Sequence, residues 1–495
     1  MIGPMDMDAD ACYRAIATRD PRFDGRLFIG VKTTGIYCRP ICPARTPKRQ
    51  NVTFWPTAAA AQEAGFRPCL RCRPETAPDL AAWRGTSNTV SRALSLIEAG
   101  ALDEGDVETL ADRLGVGERQ LRRLFRQHLG ASPVAVAQTR RVLLAKQLIH
   151  ETRLPMAEVA LASGFGSVRR FNETFQQLFR RPPASLRRGH AADAPAAGAV
   201  KVELPYRAPY DWEAMLAFLA MRAIPGVEVV DGGRYRRTIG LGGEAGVLTV
   251  EPGEGRLAVT VKFARLSALP TIIARVRRVF DLAADPAVIG EHLSADPALA
   301  PLVAARPGLR VPGAWDGFEL AVRAVLGQQI TVAAARGLAG RIVAEHGAAL
   351  PEGLREEGLT HVFPAAERLA GADLSSLPMP RARSATLEGL AAAVAADPLI
   401  FGARRGLAEA IEQLKALNGV GEWTAQYIAM RELREPDAFP AADIGLMRAM
   451  AGPDGRRPTP AQLAARAAAW RPWRAYAALH LWAAEAERAG ERRAA

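Results

Sequence analysis

Cysteine is missing from most of this chain: its 495 residues include five cysteines, and all of them lie at or before position 72. A secreted protein held by disulfides would not crowd its cysteines into so short a segment, so metal binding or catalysis is the favoured use. The absence also excludes thiol chemistry and cysteine-ligated iron–sulfur clusters from everything after Cys72.

Long apolar runs are missing as well. No apolar stretch reaches the length of about 18 residues that a membrane helix needs, and no signal peptide precedes the first charged residues. We therefore expect a cytoplasmic, nucleoid-associated protein of bacterial type with no membrane partner.

A chain of this length is also too long for one hydrophobic core, and about three or four domains are expected.

Acidic residues are scarce relative to basic ones only in the first part of the chain. The formal net charge is +12, and residues 1–200 hold 29 Lys and Arg against 19 Asp and Glu, whereas the remainder holds 35 against 33. Excess positive charge indicates a polyanionic partner such as double-stranded DNA, which we place mainly on the first 200 residues.

The early cysteines form two ligand pairs, Cys38-x3-Cys42 and Cys69-x2-Cys72. Two such pairs complete a tetrahedral four-thiolate site suited to one Zn²⁺ ion. Cys12 lies outside this spacing and reads as a buried apolar residue. Spacing alone leaves open whether the zinc is purely structural, and it does not single out a reactive cysteine.

The segment around these cysteines, FIGVKTTGIYCRPICPARTPKRQNVTFWPTAAAAQEAGFRPCLRCRP at 28–74, resembles the amino-terminal domain of Ada-type adaptive-response proteins. The resemblance implies that Cys38 accepts a methyl group from a methylated DNA phosphate. Methylation of one thiolate would change a four-thiolate zinc site from a net charge of −2 to −1, which lessens its repulsion of phosphate. Basic residues surround the ligands and suit phosphate contact: Lys32, Arg39, Arg45, Lys48, Arg49, Arg67, Arg71 and Arg73.

Residues 86–188 show two successive units of helical periodicity, each interrupted by a glycine turn. Ser132-Pro133 predicts the start of a long helix between them. The segment ends in GFGSVRRFNETFQQLFRRPPASLRR and resembles an AraC-type DNA-binding domain, as in Ada proteins. Each unit is predicted to present one recognition helix to DNA. The arginines on these two helices are candidate DNA contacts: Arg119, Arg122, Arg123, Arg169 and Arg170.

The next region begins with a linker, HAADAPAAG, within 189–200. Residues 201–310 then combine helical runs at 212–222 and 269–280 with strand-like segments between them. This α+β platform resembles the domain that precedes the catalytic core in AlkA-type enzymes, and we assign no chemistry to it.

The stretch LNGVGEWTAQYIAMRELREPDAFPAAD at 417–443 contains a glycine turn followed by a helix start, an arrangement that suits phosphate binding through Gly419, Val420 and Gly421. By itself it is also compatible with an ordinary helix–helix joint. The sequence of this stretch resembles the helix-hairpin-helix of DNA glycosylases. The wider region of roughly 204–484 resembles 3-methyladenine DNA glycosylase II in particular. That resemblance places the catalytic carboxylate at Asp443. Asp437 and Glu422 are the other carboxylates close to it in the sequence, and the resemblance gives them no catalytic role.

A flipped base needs aromatic walls, and the resemblance gives Trp423, Tyr427 and Trp482 this role. Electron-rich rings attract a cationic alkylated purine. Relatives with lyase activity carry a lysine at the position of Trp423, so we expect a monofunctional glycosylase. Gln329 stands where the related enzyme presents a leucine that wedges into DNA, which leaves its inserting role open.

The sequence therefore predicts a mainly α multidomain protein: a zinc domain (1–80), an all-α double helix-turn-helix domain (86–188), a linker (189–200), an α+β platform (201–310) and an all-α helix-hairpin-helix glycosylase core (311–490). We expect release of 3-methyladenine and 7-methylguanine, methyl uptake from phosphotriesters, and transcription control through RNA polymerase by a monomer. The alternative is a methylation-activated regulator with an inactive glycosylase domain. A monovalent cation at 417–421 is a further candidate cofactor. With no cysteine after Cys72, we expect no repair of O6-alkylguanine.

Overall fold

The computed structural model describes residues 9–77, 88–187, 199–398, 400–401, 407–452 and 454–494. The chain divides into two compact units, Met1–Tyr206 with Gly253–Ala274 and Arg207–Pro252 with Arg275–Ala495. Of the predicted linker, residues 189–198 lie outside the described residues. No helix in the described ranges has both the length and the apolar character needed to cross a bilayer.

The first unit opens with a small sheet that gathers the cysteines. Its elements are α1 (Ala9–Ala17), β1 (Phe28–Val31), β2 (Ile36–Cys38), β3 (Val52–Trp55), α2 (Ala58–Glu63) and β4 (Arg67–Pro68), in the strand order β3-β1-β2-β4. Strands β2 and β4 are parallel neighbours, with Tyr37 opposite Pro68. The residues that follow in register, Cys38 and Cys69, therefore leave the sheet at the same end. Cys12 is 6% exposed in the core beneath the sheet, which confirms its prediction as an apolar residue.

Seven helices follow: α3 (Asn88–Glu98), α4 (Ala101–Glu104), α5 (Val107–Arg113), α6 (Glu118–Leu129), α7 (Pro133–Glu151), α8 (Met156–Ala162) and α9 (Val168–Phe179). The Ser132 hydroxyl accepts from the Ala135 amide and caps α7, as the sequence predicts. Phe125, Phe171 and Phe175 are fully buried, so the apolar stripes form the core and leave the opposite faces of α6 and α9 to solvent.

A buried polar cluster joins α7 to the cysteine segment. Lys146 Nζ donates to the carbonyl oxygen of Cys69 at 2.9 Å and forms an ion pair with Glu75, and both side chains are almost fully buried. Arg73 bridges Glu75 and Glu151. Arg73 was expected to face phosphate, but it is turned inward because these two carboxylates hold it.

The first unit also contains β5 (Ala199–Pro205) and β9 (Arg256–Phe263), which pair antiparallel with Ala199 opposite Lys262. In the second unit, β6 (Glu228–Asp231), β7 (Arg234–Leu241) and β8 (Glu244–Gly253) pair antiparallel in that order. The helical runs predicted at 212–222 and 269–280 correspond to α10 (Trp212–Arg222) and α11 (Leu269–Val279), and strands lie between them as predicted.

The remaining elements of the second unit are mainly helical. They are α12 (Pro286–Leu293), α13 (Ala300–Ala305), α14 (Gly317–Leu326), α15 (Val332–His346), β10 (Ala348–Ala349), β11 (His361–Val362), α16 (Ala366–Ala370), α17 (Arg381–Ala396), α18 (Leu407–Lys415), α19 (Glu422–Arg431), α20 (Ile444–Ala449), α21 (Pro460–Arg466) and α22 (Arg474–Ala494). Helix α14 is buried along almost its whole length, which makes it the central helix against which α15, α17 and α19 pack.

Candidate active site and metal centre

The carboxylate of Asp443 lies at the first turn of α20. It is the N-cap residue, and its Oδ1 accepts the Leu446 amide at 3.0 Å. An N-cap aspartate is common in proteins and by itself indicates no chemistry. The other contacts of this carboxylate set it apart.

Two indole rings donate to the same carboxylate. Trp423 Nε1 lies 2.9 Å from Oδ2, and Trp482 Nε1 lies 2.8 Å from Oδ1. The two tryptophans come from α19 and α22, so three separate helices fix one side chain. Glycine at position 445 lets the carboxylate and the indole approach each other closely. A Cβ there would lie 3.0 Å from Oδ1 of Asp443 and 3.3 Å from Cδ1 of Trp482 and would crowd both groups.

Trp423 and Tyr427 form one aromatic wall. They stand four residues apart on α19, and their rings stack with centroids 5.2 Å apart and planes 9° apart. Arg431 donates from Nη1 to the Tyr427 hydroxyl at 2.7 Å. Burial opposes ionisation of that phenol, but Arg431 and Arg222 outweigh it and lower the pKa of Tyr427.

A second aromatic group, Phe218 of α10, lies between the two arginines. The Arg222 guanidinium is 3.7 Å from the Phe218 ring centroid, and that of Arg431 is 4.9 Å from it. Arg431 is itself fixed by the carbonyl oxygens of Pro312 and Gly313. Sequence reasoning missed these three side chains; the helical spacing of Phe218 and Arg222 was visible, but nothing in it indicated the pocket.

The glycine turn joins α18 to α19. Gly419 has a φ of +77°, and a Cβ there would lie 2.3 Å from Oγ1 of Thr386. Its carbonyl oxygen accepts from Gln328 Nε2 at 3.0 Å, and the same amide nitrogen reaches the Thr424 hydroxyl. Neither Thr386 nor Gln328 lies in a sequence motif that would have identified it as a neighbour of the glycine turn.

The other turn residues behave differently from Gly419. Gly421 has a φ of −84° and serves as the N-cap of α19. Because glycine has no side chain, the first amides of α19 have no side-chain cap. The Val420 side chain is 5% exposed, and its amide donates to the carbonyl oxygen of Leu417.

Gln329 follows α14 and has a φ of +59°, a conformation that only a few per cent of residues other than glycine adopt. Its side chain is exposed. The neighbouring Gln328 is fixed on both sides, because its carbonyl oxygen also accepts from Arg383 at 2.6 Å. The strained backbone therefore projects Gln329 from a rigid support.

The two neighbouring carboxylates, Asp437 and Glu422, form ion pairs with basic side chains. Asp437 accepts from Arg474 at 2.6 Å and pairs with Arg471. Glu422 lies on the exposed start of α19 and pairs with Lys415 at 3.4 Å. Two further tryptophans, Trp470 and Trp473, belong to the core, since they are 1% and 8% exposed.

The four predicted zinc ligands meet in one place. The sulfur atoms of Cys38, Cys42, Cys69 and Cys72 all lie within 4.8 Å of one another. Four thiolates at this separation suit tetrahedral Zn²⁺, for which Zn–S distances are about 2.3 Å. The donor set therefore fits one zinc ion, as predicted.

The four sulfurs differ in exposure and in hydrogen bonding. Cys69 and Cys72 are each 7% exposed, while Cys38 and Cys42 are only partly buried. The Arg71 amide donates to the Cys69 sulfur and the Arg39 amide to that of Cys72. Among the described residues, neither Cys38 nor Cys42 accepts a comparable amide hydrogen bond.

The predicted recognition arginines are all exposed, on α6 and α9. Arg122 pairs with Glu118, and Arg169 pairs with Glu173 at 2.8 Å, in each case one turn apart. Arg126, on the same helix as Arg122, is instead bound by Glu63 at 2.7 Å. Exposed arginines with partners on their own helix can exchange those partners for phosphate or base edges.

These observations define a class of protein: a DNA-binding repair protein in which a four-cysteine metal centre and paired helix-turn-helix units accompany a helical unit of DNA-glycosylase type. Three family models match in the expected order: the metal binding domain of Ada at residues 11–75, a helix-turn-helix domain at 110–189 and the AlkA N-terminal domain at 201–316.

The chain belongs to the family of bifunctional transcriptional activator/DNA repair enzymes of the AlkA kind. It is 44% identical to the probable bifunctional transcriptional activator/DNA repair enzyme AlkA of Mycobacterium tuberculosis over 97% of both chains. It is also 37% identical to the DNA-3-methyladenine glycosylase 2 of Escherichia coli, over 57% of this chain and 96% of that protein. The 3-methyladenine DNA-glycosylase from Archaeoglobus fulgidus shares the fold at a TM-score of 0.51 and 22% identity, over 57% of this chain and 97% of that one. The predicted family, fold class and zinc cofactor are thereby confirmed.

Proposed function

We propose that this protein releases alkylated bases of the 3-methyladenine and 7-methylguanine type from double-stranded DNA by hydrolysis of the N-glycosidic bond. The observation that carries the proposal is the fixed position of Asp443, which three helices hold by two indole donors and one amide. A preorganised carboxylate next to aromatic rings suits a reaction in which positive charge develops on the sugar of a flipped nucleotide.

The reaction breaks the bond between C1′ and the base nitrogen, and the bonding electrons leave with the base. The sugar becomes oxocarbenium-like, and the Asp443 carboxylate stabilises its charge. Oδ1 of Asp443 accepts two hydrogen bonds and Oδ2 accepts one, so Oδ2 has the larger remaining capacity to orient water. That water attacks C1′ and leaves an abasic site.

We propose that no lyase step follows. The indole nitrogen of Trp423 is a donor only and cannot form a Schiff base with the sugar. Its N–H already points at Asp443, which supports a role in holding the carboxylate.

DNA binding by the glycosylase unit would use the turn at Gly419 and the uncapped amides at the start of α19, which can donate hydrogen bonds to phosphate oxygens. Gln329 would enter the space left by the flipped nucleotide, and its exposed, strained position supports this role. A monovalent cation at 417–421 stays a prediction; the Gly419 carbonyl already accepts the Gln328 amide.

In the first unit, Cys38 would accept a methyl group from a DNA methylphosphotriester. Its sulfur attacks the methyl carbon, the S–C bond forms, and the methyl–oxygen bond breaks to leave an ordinary phosphodiester. Bound Zn²⁺ would keep the four thiolates deprotonated. Hydrogen bonds to a thiolate stabilise its charge and reduce its nucleophilicity, which disfavours Cys69 and Cys72 as acceptors. The choice of Cys38 over Cys42 follows from the resemblance to Ada-type domains.

Methylation would lower the negative charge of the metal centre and strengthen promoter binding through α6 and α9. We further propose that the protein acts as a monomer near the nucleoid, in the cytoplasm, and contacts RNA polymerase. The domain limits given in the sequence analysis stay predictions.

The deciding experiment is base release from alkylated duplex DNA by the purified full chain, followed by a nicking assay without alkali. We expect free 3-methyladenine and 7-methylguanine, and nicks only after alkali treatment. Asp443→Asn should reduce release by about 100- to 1,000-fold and retain DNA binding, whereas Asp437→Asn should remain active.

A methylation-activated regulator with an inactive glycosylase domain is the second candidate, favoured by the exposed arginines of α6 and α9. It would take up methyl groups and bind promoters but release no base from alkylated DNA.

A further inference from the structure

Two arginines lie beside the aromatic wall that a flipped base would use. Arg222 lies over Phe218 at 3.7 Å, and Arg431 reaches the same ring at 4.9 Å and donates to the Tyr427 hydroxyl. Burial opposes ionisation of Tyr427, but the positive charges of Arg431 and Arg222 outweigh it and lower the pKa of Tyr427. A guanidinium on an aromatic face uses the attraction that a cationic base would otherwise gain there. The wall is therefore partly neutralised before any DNA binds.

The two arginines are held differently. Arg431 has carbonyl partners on two sides and belongs to the rigid frame of α19. Arg222 ends α10, and its guanidinium donates to the Phe218 carbonyl oxygen at 3.3 Å and contacts the Met221 sulfur at 3.8 Å. Its backbone is fixed, because Arg323 donates to the Arg222 carbonyl oxygen at 2.7 Å. Arg222 is thus a charged side chain on a fixed support at the wall.

An unbroken series of contacts leads from this charge to the carboxylate. Arg222 and Arg431 share the Phe218 ring, and Arg431 lies 5.3 Å from the Tyr427 ring centroid. Tyr427 stacks on Trp423, and Trp423 donates to Asp443. A cationic base that stacked on this wall would therefore be repelled by the nearby guanidinium charge.

We infer that Arg222 determines the charge selectivity of the base pocket: its guanidinium offsets the attraction of the aromatic rings for cationic alkylated bases and lets neutral damaged purines compete. The inference rests on the proposed glycosylase function. It identifies a specificity-determining residue outside the carboxylate and its indole partners.

The test compares two duplexes, one with a single 7-methylguanine, which is cationic, and one with a single hypoxanthine, which is neutral. Single-turnover release gives kcat/KM for each, and the measured quantity is their ratio. Arg222→Met and Arg222→Gln both remove the charge, and the glutamine keeps a hydrogen-bond donor. We expect both variants to raise the ratio of 7-methylguanine to hypoxanthine release about tenfold.

Two control variants separate local charge from other effects. Arg222→Lys keeps the charge and should leave the ratio near that of the wild type. Arg234→Met removes an exposed arginine of β7, paired with Asp231 at 3.1 Å, and should also leave it unchanged. Thermal unfolding of each variant checks that it is folded.

An unchanged ratio in the folded neutral variants would overturn the inference, as would an equal rise in Arg222→Lys. Release of neither base by the wild type would instead refute the proposed function itself, and the two failures are therefore distinguishable.

Discussion

Trp482 Nε1 lies 2.8 Å from Oδ1 of Asp443, while Trp423 Nε1 approaches the opposite oxygen, Oδ2, at 2.9 Å. One carboxylate is thereby held between indoles from two helices that are about fifty residues apart in sequence. Such a carboxylate needs little reorganisation when positive charge develops beside it.

Trp482→Phe removes one donor and retains an aromatic ring. We expect single-turnover base release to fall by about 10- to 100-fold, because the carboxylate loses part of its orientation. Binding to DNA that already contains an abasic site should change little. A variant with full activity would show that the Trp482 bond does not contribute to catalysis.

Gly419→Ala should destabilise the turn. Its φ of +77° disfavours any side chain, and the added Cβ would meet Oγ1 of Thr386 at 2.3 Å. We expect a loss of at least about 1–2 kcal/mol of unfolding free energy and weaker DNA binding. Gly421→Ala is the matched control, since its φ is negative and nothing lies within 4 Å of the added Cβ. Equal thermal stability of the two variants would contradict this account.

Methyl uptake should map to Cys38. After incubation of the zinc-loaded protein with DNA carrying methylphosphotriesters, peptide mass spectrometry should find one added methyl group on the peptide that contains Cys38. Cys12→Ala should leave uptake unchanged because Cys12 lies in the core, apart from the four clustered sulfurs. Methylation of Cys69 or Cys72 instead would refute the argument from amide hydrogen bonds, and methylation of Cys42 would refute the assignment to Cys38.

Glu432 should give the stability a distinct pH dependence. Burial raises the pKa of Glu432 to about 7 against the opposing effect of Arg278, and Oε2 has no hydrogen-bond partner among the described residues. Between the unfolded pKa near 4.5 and about 7, the folded carboxyl keeps a proton that the unfolded chain releases. Its contribution to stability is therefore complete at low pH and falls by up to about 1.4 kcal/mol per pH unit as the pH rises through this window.

Glu432→Gln should abolish that decline. Denaturant unfolding of the wild type and the variant from pH 5 to pH 8 gives the difference in unfolding free energy, which should increase with pH in favour of the variant. Glu409→Gln, an exposed change on α18, should show no such trend. A difference that does not vary with pH would show that Glu432 is not protonated in the folded protein.

The sequence by itself determined the metal centre and the order of the modules. Two cysteine pairs with short internal spacing can together coordinate one metal ion. The parallel pairing of β2 with β4 brings one cysteine of each pair, Cys38 and Cys69, to the same end of the sheet. The helix-turn-helix units and the glycine turn were predictable for the same reason, because capping residues and apolar periodicity act over a few residues.

Only the tertiary structure decided which polar groups surround the site. Asp443 and Asp437 look alike in sequence, yet one is held by two indoles and the other by two arginines. Phe218 and Arg431 come together although they are about two hundred positions apart, and Arg222 shares the same ring, which no local pattern encodes. Local chemistry thus specified the elements, while the charge beside the aromatic wall depends on long-range packing that brings separate helices against one another.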